Sequence, residues 1–167
     1  MKHTILVVDD DELFIEYIQS VLSGESYNVI TASSGQEGLE ILKKQHASIV
    51  VSEYKIPIMS GLEFLEKVRI IYPDILTIMV TDQADIKLAI KAINEAGVYK
   101  FLLKPWDDMD FKNTIKKTLE SLQVIKERDV LIRKVKTHEA TLKDLEKRYP
   151  GITKVERDED GCILPHD

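Results

Sequence analysis

Residues 49–61 read IVVSEYKIPIMSG. Ile49, Val50 and Val51 form an apolar run with no polar alternation, and a turn-forming stretch from Pro57 to Gly61 follows. A strand of that kind is buried on both faces, as in a parallel sheet covered by helices on each side. The pattern recurs along the chain. Strands are predicted at Thr4–Val8, Tyr27–Thr31, Ile49–Ser52, Leu76–Val80 and Lys100–Leu103. Between them, Phe14, Ile18, Val21 and Leu22 recur at helical spacing, as do Leu65, Val68 and Ile71, and Ile86, Ile90, Ile93 and Gly97. Gly97 suits the left-handed position that ends a helix. Five βα units with short connections predict an α/β fold, a doubly wound five-stranded parallel sheet of order 2-1-3-4-5.

The chain has 167 residues, 44% of them hydrophobic, enough for one ordinary core with an appendage. Its 23 basic and 29 acidic residues give a net charge of −6, which disfavours direct nucleic-acid binding. Cys162 is the only cysteine, so no intrachain disulfide forms and a reducing compartment is expected. The opening MKHTILVVDD reaches acidic residues after four apolar ones, too soon for a signal peptide, and no later run suits membrane insertion. These features predict a cytoplasmic protein.

Three segments are expected: residues 1–122, a helical extension over 123–149, and a hairpin or flexible tail over 150–167. No glycine occurs between Gly97 and Gly151 and no proline between Pro105 and Pro150, and the stretch is rich in Lys, Glu, Leu and Ile. One long helix from about Asp107 follows. Phe111, Ile115, Leu119 and Leu122 would pack on the sheet. Farther on, Val124, Arg128, Leu131, Val135, His138, Leu142, Leu145 and Tyr149 keep an alternating four-three spacing. This imperfect heptad seam predicts a coiled-coil homodimer in preference to a solvated helical tail or a helix packed on its own domain. In the tail, Glu156, Asp158, Asp160, Gly161, Ile163 and Asp167 imitate the spacing of a calcium loop. The end residues are of the wrong types and Pro150-Gly151 breaks the lead-in helix, so an acidic turn is the reading.

Ligand chemistry in an open parallel sheet gathers at the carboxyl ends of the strands. Those ends carry Asp9, Asp10 and Asp11, then Glu53, then Thr81 and Asp82, then Lys104 and Pro105. Clustered carboxylates call for a divalent cation, and Mg2+ suits oxygen donors from few protein groups. A lysine can neutralise a phosphoryl group and a hydroxyl can donate to its oxygens.

The segments VVDDDE, SEYKIPIMSG, MVTDQAD and FLLKPW, taken in order, resemble the receiver domain of bacterial two-component response regulators, the CheY-like family, over roughly residues 3–122. The resemblance implies a flavodoxin-like fold and a non-enzymatic role in phosphorelay signal transduction. It further implies that Asp9 and Asp10 organise magnesium and that the main-chain carbonyl of Lys55 is another ligand. Thr81 would be the switch hydroxyl, Phe101 the aromatic that moves with it, Lys104 the phosphate-neutralising lysine, and Lys104-Pro105 a cis bond. A histidine kinase and a downstream output protein would be the partners.

The acceptor position departs from the family, because Glu53 stands where an aspartate is expected. The extra methylene moves the carboxylate outward, and misplacement by about 1 Å costs on the order of a hundredfold in rate. Glu53 would still bear metal-binding oxygens, and it could pair with Lys104 and Thr81 in imitation of a phosphorylated acceptor. A pseudo-receiver or constitutively phosphomimetic module is therefore expected. The alternatives are an inert dimerisation scaffold, an aspartyl-nucleophile phosphotransferase or phosphatase using Asp9 and Asp11, and a flavin-binding protein. The last is disfavoured by the acidic loop after the first strand. His46 and His138 lack nucleophile or metal partners at useful spacing, Tyr54 reads as a gate or packing residue, and Trp106 is expected to pack at the base of the last helix.

Overall fold

The computed structural model describes residues 2–154. The elements alternate throughout: β1 (His3–Val8), α1 (Glu12–Leu22), β2 (Tyr27–Ala32), α2 (Gly35–Lys44), β3 (Ile49–Glu53), α3 (Gly61–Ile71), β4 (Leu76–Thr81), α4 (Ile86–Asn94), β5 (Lys100–Leu103) and α5 (Asp108–Arg148). All strand pairs are parallel, in the order β2-β1-β3-β4-β5. The sheet is therefore the doubly wound, flavodoxin-like one anticipated. Four strands run one residue beyond their expected bounds at one end, and this brings Glu53 and Thr81 into the last ladder positions of β3 and β4.

Two cores explain the unbroken apolar strands. Leu6, Val8, Val50 and Met79 point to one face, where Leu42, Phe64, Leu65, Val68 and Ala92 from α2, α3 and α4 cover them. Ile5, Val7, Ile49, Val51, Ile78 and Val80 point to the other, covered by Ile18 and Leu22 of α1 and by Phe111, Ile115 and Leu119 of α5. Period-two alternation thus feeds both faces at once. Trp106 stacks on Phe111 with centroids 4.9 Å apart, at the base of α5 as expected.

Helix starts follow from local chemistry. Asp11, Ser34, Ser60 and Asp85 cap α1, α2, α3 and α4 through their side-chain oxygens, and Ser60 with Glu63 forms a reciprocal capping box. Gly97 has φ +61 and lies just beyond α4. In α4 the apolar stripe read from the spacing is not the buried side. Leu88 and Ala92 face the core, whereas Ile86, Ile90 and Ile93 are exposed. Helical spacing identified an apolar stripe but not which side of the helix the sheet would cover. Ile71 of α3 is likewise exposed.

The chain divides into two compact units, the first ending at Leu122 and the second beginning at Gln123. In the first, α5 buries Phe111, Ile115, Thr118, Leu119 and Leu122. In the second, α5 continues to Arg148 with Val124, Leu131, Val135 and Leu142 exposed. Glu146 accepts hydrogen bonds from the backbone N–H groups of Gly151 and Thr153, closing the helix end. The hairpin or calcium-loop-like pattern after residue 154 lies outside the described residues. No helix among the described residues is long and apolar enough to cross a membrane.

Candidate functional site

The carboxyl edge of the sheet forms because β1, β3, β4 and β5 all end there, and each contributes one polar side chain where its ladder runs out. Asp9 follows β1, and its N–H donates to Ala32 O at 3.1 Å, fixing it on the sheet edge. Glu53 is the last residue of β3, opposite Val80, and the backbone is clamped behind it. Tyr54 N–H donates to Val80 O (3.0 Å) and Gly61 N–H to Tyr54 O (2.7 Å). A Cβ on Gly61 would lie 2.0 Å from Glu53 O, so only glycine lets α3 start this close to the site. The same loop holds Ile58 at φ +76 with 91% of its surface exposed. A β-branched residue is strained in that region.

Lys104 joins the edge together. Its Nζ lies 2.7 Å from Glu53 Oε2 and 3.1 Å from Asp9 Oδ2. The other oxygens are also occupied: Glu53 Oε1 accepts from Tyr54 N–H (2.8 Å) and Lys55 N–H (3.2 Å), and Asp9 Oδ1 accepts from Asp11 N–H (2.9 Å). Both carboxylates are buried. Burial pushes the Asp9 carboxyl above its ordinary range, against the lowering by Asp11 N–H and Lys104. Burial pulls Lys104 down, but hydrogen bonds to Glu53 and Asp9 outweigh it and hold the ammonium above its usual value. Phe14 completes the enclosure, its ring centroid 3.6 Å from Lys104 Nζ. Trp106 braces Phe14 edge-on at 5.7 Å.

The remaining expected residues divide into those near this pair and those set apart. The Lys104-Pro105 bond is cis. Thr81 is fully buried at the end of β4, and its carbonyl accepts from Lys104 N–H at 2.8 Å. Its hydroxyl accepts from Gln83 N–H (3.2 Å), and among the described residues no hydrogen bond joins it to Glu53. The expected Glu53–Thr81 pairing is therefore not made; the carboxylate turns toward the stronger charge of Lys104. Phe101 is half-buried against the core under α4 and borders a hollow of about 290 Å³ with Ala84, Asp85, Ile86, Ala89 and Leu103. Asp10 is exposed and, with Lys55 and Tyr54, lines an open depression beside the loop at Ile58. Asp11 is engaged as the cap of α1, accepting from Leu13 and Phe14 N–H. That geometry removes it from the Asp9–Asp11 pair a phosphatase would need.

Sequence reading missed Phe14 as a site residue and Asp11 as a cap. The capping signal was present, an aspartate directly before a helical apolar pattern. The Phe14–Lys104 contact joins residues far apart in sequence and had no local signal.

Asp9, Asp10, Glu53 and the Lys55 carbonyl offer only hard oxygen donors, a donor chemistry that fits Mg2+, although Lys104 contacts only Asp9 and Glu53 and Asp10 stands exposed. Among the described residues no three His, Cys, Asp or Glu side chains are gathered closely enough to hold a metal as they stand.

Comparison with known proteins supports the fold and the family. The hydrogenase transcriptional regulatory protein HoxA of Cupriavidus necator is 33% identical over 118 residues, 71% of this chain and 24% of that protein. Sporulation initiation phosphotransferase F of Bacillus subtilis is 29% identical over 119 residues, 71% of this chain and 95% of that protein. A solved signal receiver domain of an HD domain-containing protein from Pseudomonas fluorescens Pf-5 has a TM-score of 0.73 at 32% identity, covering 76% of this chain and 93% of that one. The chain spans about a quarter of the length of the transcriptional regulator. Residues 5–116 match the response regulator receiver domain, and this chain belongs to that family of two-component signalling modules.

Proposed function

We propose that this chain is a pseudo-receiver held in one signalling state, with Glu53 acting as a built-in substitute for a phosphorylated acceptor. One observation carries the reading: Glu53 reaches Lys104 at 2.7 Å while its second oxygen is tied to two backbone N–H groups. Both of its oxygens are engaged, three contacts in all, which favours an anchor over a nucleophile. A carboxylate carries one charge where a phosphoryl group carries about −1.5 to −2, so the imitation is partial.

Receiver domains as a class are non-enzymatic signalling modules that work with histidine kinases and output domains, and they generally bind Mg2+ at the acidic edge. In this chain Asp9, Asp10, Glu53 and the Lys55 carbonyl would hold the ion, which when bound would neutralise charge at the edge. Lys104 already occupies oxygens of Asp9 and Glu53, so ammonium and cation compete and the affinity is weak. From the edge, conformation would pass through Thr81 and Phe101 to the surface of α4, β5 and α5, where Ile86, Ile90 and Tyr99 are exposed. A partner protein or a second copy would dock there, and the helical extension would pair two chains.

The test exposes this chain and Glu53→Asp to acetyl phosphate or beryllofluoride, followed by intact mass and association state. The expected result is no adduct on the unaltered chain and one phosphoryl group on Glu53→Asp. A stable adduct mapped to Glu53 overturns the reading. Association that ignores every change at the acidic edge would instead support an inert scaffold.

A further inference from the structure

We infer that the helical extension pairs with a second copy of this chain in parallel and in register, and that Lys134 and Glu139 set that orientation. The inference rests on the reading above that the extension is a self-pairing helix, and it adds the direction. In the four-three frame, Arg128, Val135, Leu142 and Tyr149 hold one core position, and Val124, Leu131, His138 and Leu145 the other. Leu131 is 61% exposed, Val135 55% and Leu142 52%, so the stripe has no cover within its own unit.

Orientation is decided by the charges flanking such a stripe. The flanking positions next to the seam carry Glu127, Lys134 and Arg148 on one side and Glu139 and Glu146 on the other. Three of these are already engaged. Glu127 accepts from Gln123 at 2.9 Å, Arg148 bridges Asp144 at 3.1 Å, and Glu146 holds Gly151 and Thr153. Lys134 and Glu139 have no ion pair or side-chain hydrogen bond among the described residues.

They are of opposite sign and sit five residues apart, on opposite flanks of the seam. In a parallel, in-register pair, each flanking residue meets the residue five further along the other helix on the opposite flank. Lys134 then faces Glu139 of the second copy, and symmetry makes the contact twice. In an antiparallel pair, like flanks meet like flanks, so Lys134 and Glu139 never face each other. Two opposite-charge contacts are available there: Glu127 with Arg148 would draw both groups from partners they already hold, and Glu127 with Lys134 needs a register that leaves Leu142 and Leu145 uncovered. Arg128 and His138 meet their own copies in the parallel pair, which weakens it and penalises other registers.

The full-length chain with Cys162→Ser and Leu131→Cys tests the direction. Under mild oxidation a parallel pair gives a disulfide-linked dimer through position 131, and Leu145→Cys does the same. Separately, Lys134→Glu in the cysteine-containing chain should weaken association, measured by sedimentation, between about 3-fold and 30-fold, and adding Glu139→Lys should restore it. A dimer that links at neither position and ignores both charge changes overturns the parallel arrangement while leaving self-pairing intact. A chain that stays monomeric at concentrations on the order of tens of micromolar overturns self-pairing and this inference together.

Discussion

Glu53 differs from aspartate by one methylene, and that methylene brings its carboxylate to 2.7 Å from Lys104 with both oxygens engaged. Glu53→Asp shortens the reach, and phosphoryl transfer to it should rise on the order of a hundredfold or more, read by intact mass against time. Asp9 gives a stability prediction. Its carboxyl is raised above the ordinary 3.8 by burial, so the folded state binds that proton more tightly than the unfolded one. The stabilising contribution is fully present below the unfolded value and is lost as pH rises through the folded value, so ionised Asp9 costs stability at neutral pH. Asp9→Asn, with a metal chelator present, should therefore raise the melting temperature at pH 7 by a few degrees, with the gain vanishing toward acid. A lower melting temperature at pH 7 would mean that pairing with Lys104 outweighs burial. Ile58 is the third case. It holds φ +76 at 91% exposure, a strained conformation with little packing to lose. Ile58→Gly should stabilise the chain by about 1 kcal/mol, seen as a higher denaturation midpoint with an unchanged slope.

The turn from β3 into α3 is the element on which the site depends most. Its start needs both the Ser60–Glu63 capping box and the absent side chain of Gly61. Ser60→Ala should cost about 1 kcal/mol, the usual loss of a helix cap. Gly61→Ala places a methyl group 2.0 Å from a backbone oxygen, and the helix must move away. The expected loss is about 1–3 kcal/mol or more, together with a displaced Glu53. Equal small effects of the two changes in thermal denaturation would show that the turn can open without cost. α4 shows how far elements are legible in sequence. Ile86, Ile90 and Ile93 announced a helix correctly, because their spacing is a property of the helix itself. The side that became buried was the one bearing Leu88 and Ala92, because the connections to β4 and β5 fix how α4 lies on the sheet. Periodicity carries no information about that rotation when a helix has apolar residues on both sides.

Across the whole chain, residues 1–122 enclose both cores, and α5 contributes Phe111, Ile115, Leu119 and Leu122 to the first unit. A chain ending at Leu122 should fold with nearly the same melting temperature and lose the association due to the extension, which sedimentation beside the full chain would measure. Loss of folding on that truncation would place stabilising contacts beyond Gln123. The sequence by itself determined the five strands, the sheet order and the long last helix, because alternation, apolar runs and the lack of glycine and proline are local properties. It also determined that Asp9, Glu53, Thr81 and Lys104 share one edge, since residues ending neighbouring parallel strands must lie at the same end. Only the tertiary structure decided what those residues do there. Asp9 is buried while Asp10 is exposed, Asp11 caps a helix, and Thr81 turns its hydroxyl to Gln83. Lys104 reaches across the edge to Asp9 and Glu53 over Phe14. Those contacts join residues 95, 51 and 90 positions apart in the sequence. Sheet register and helix packing set their distances, and no local pattern encodes them.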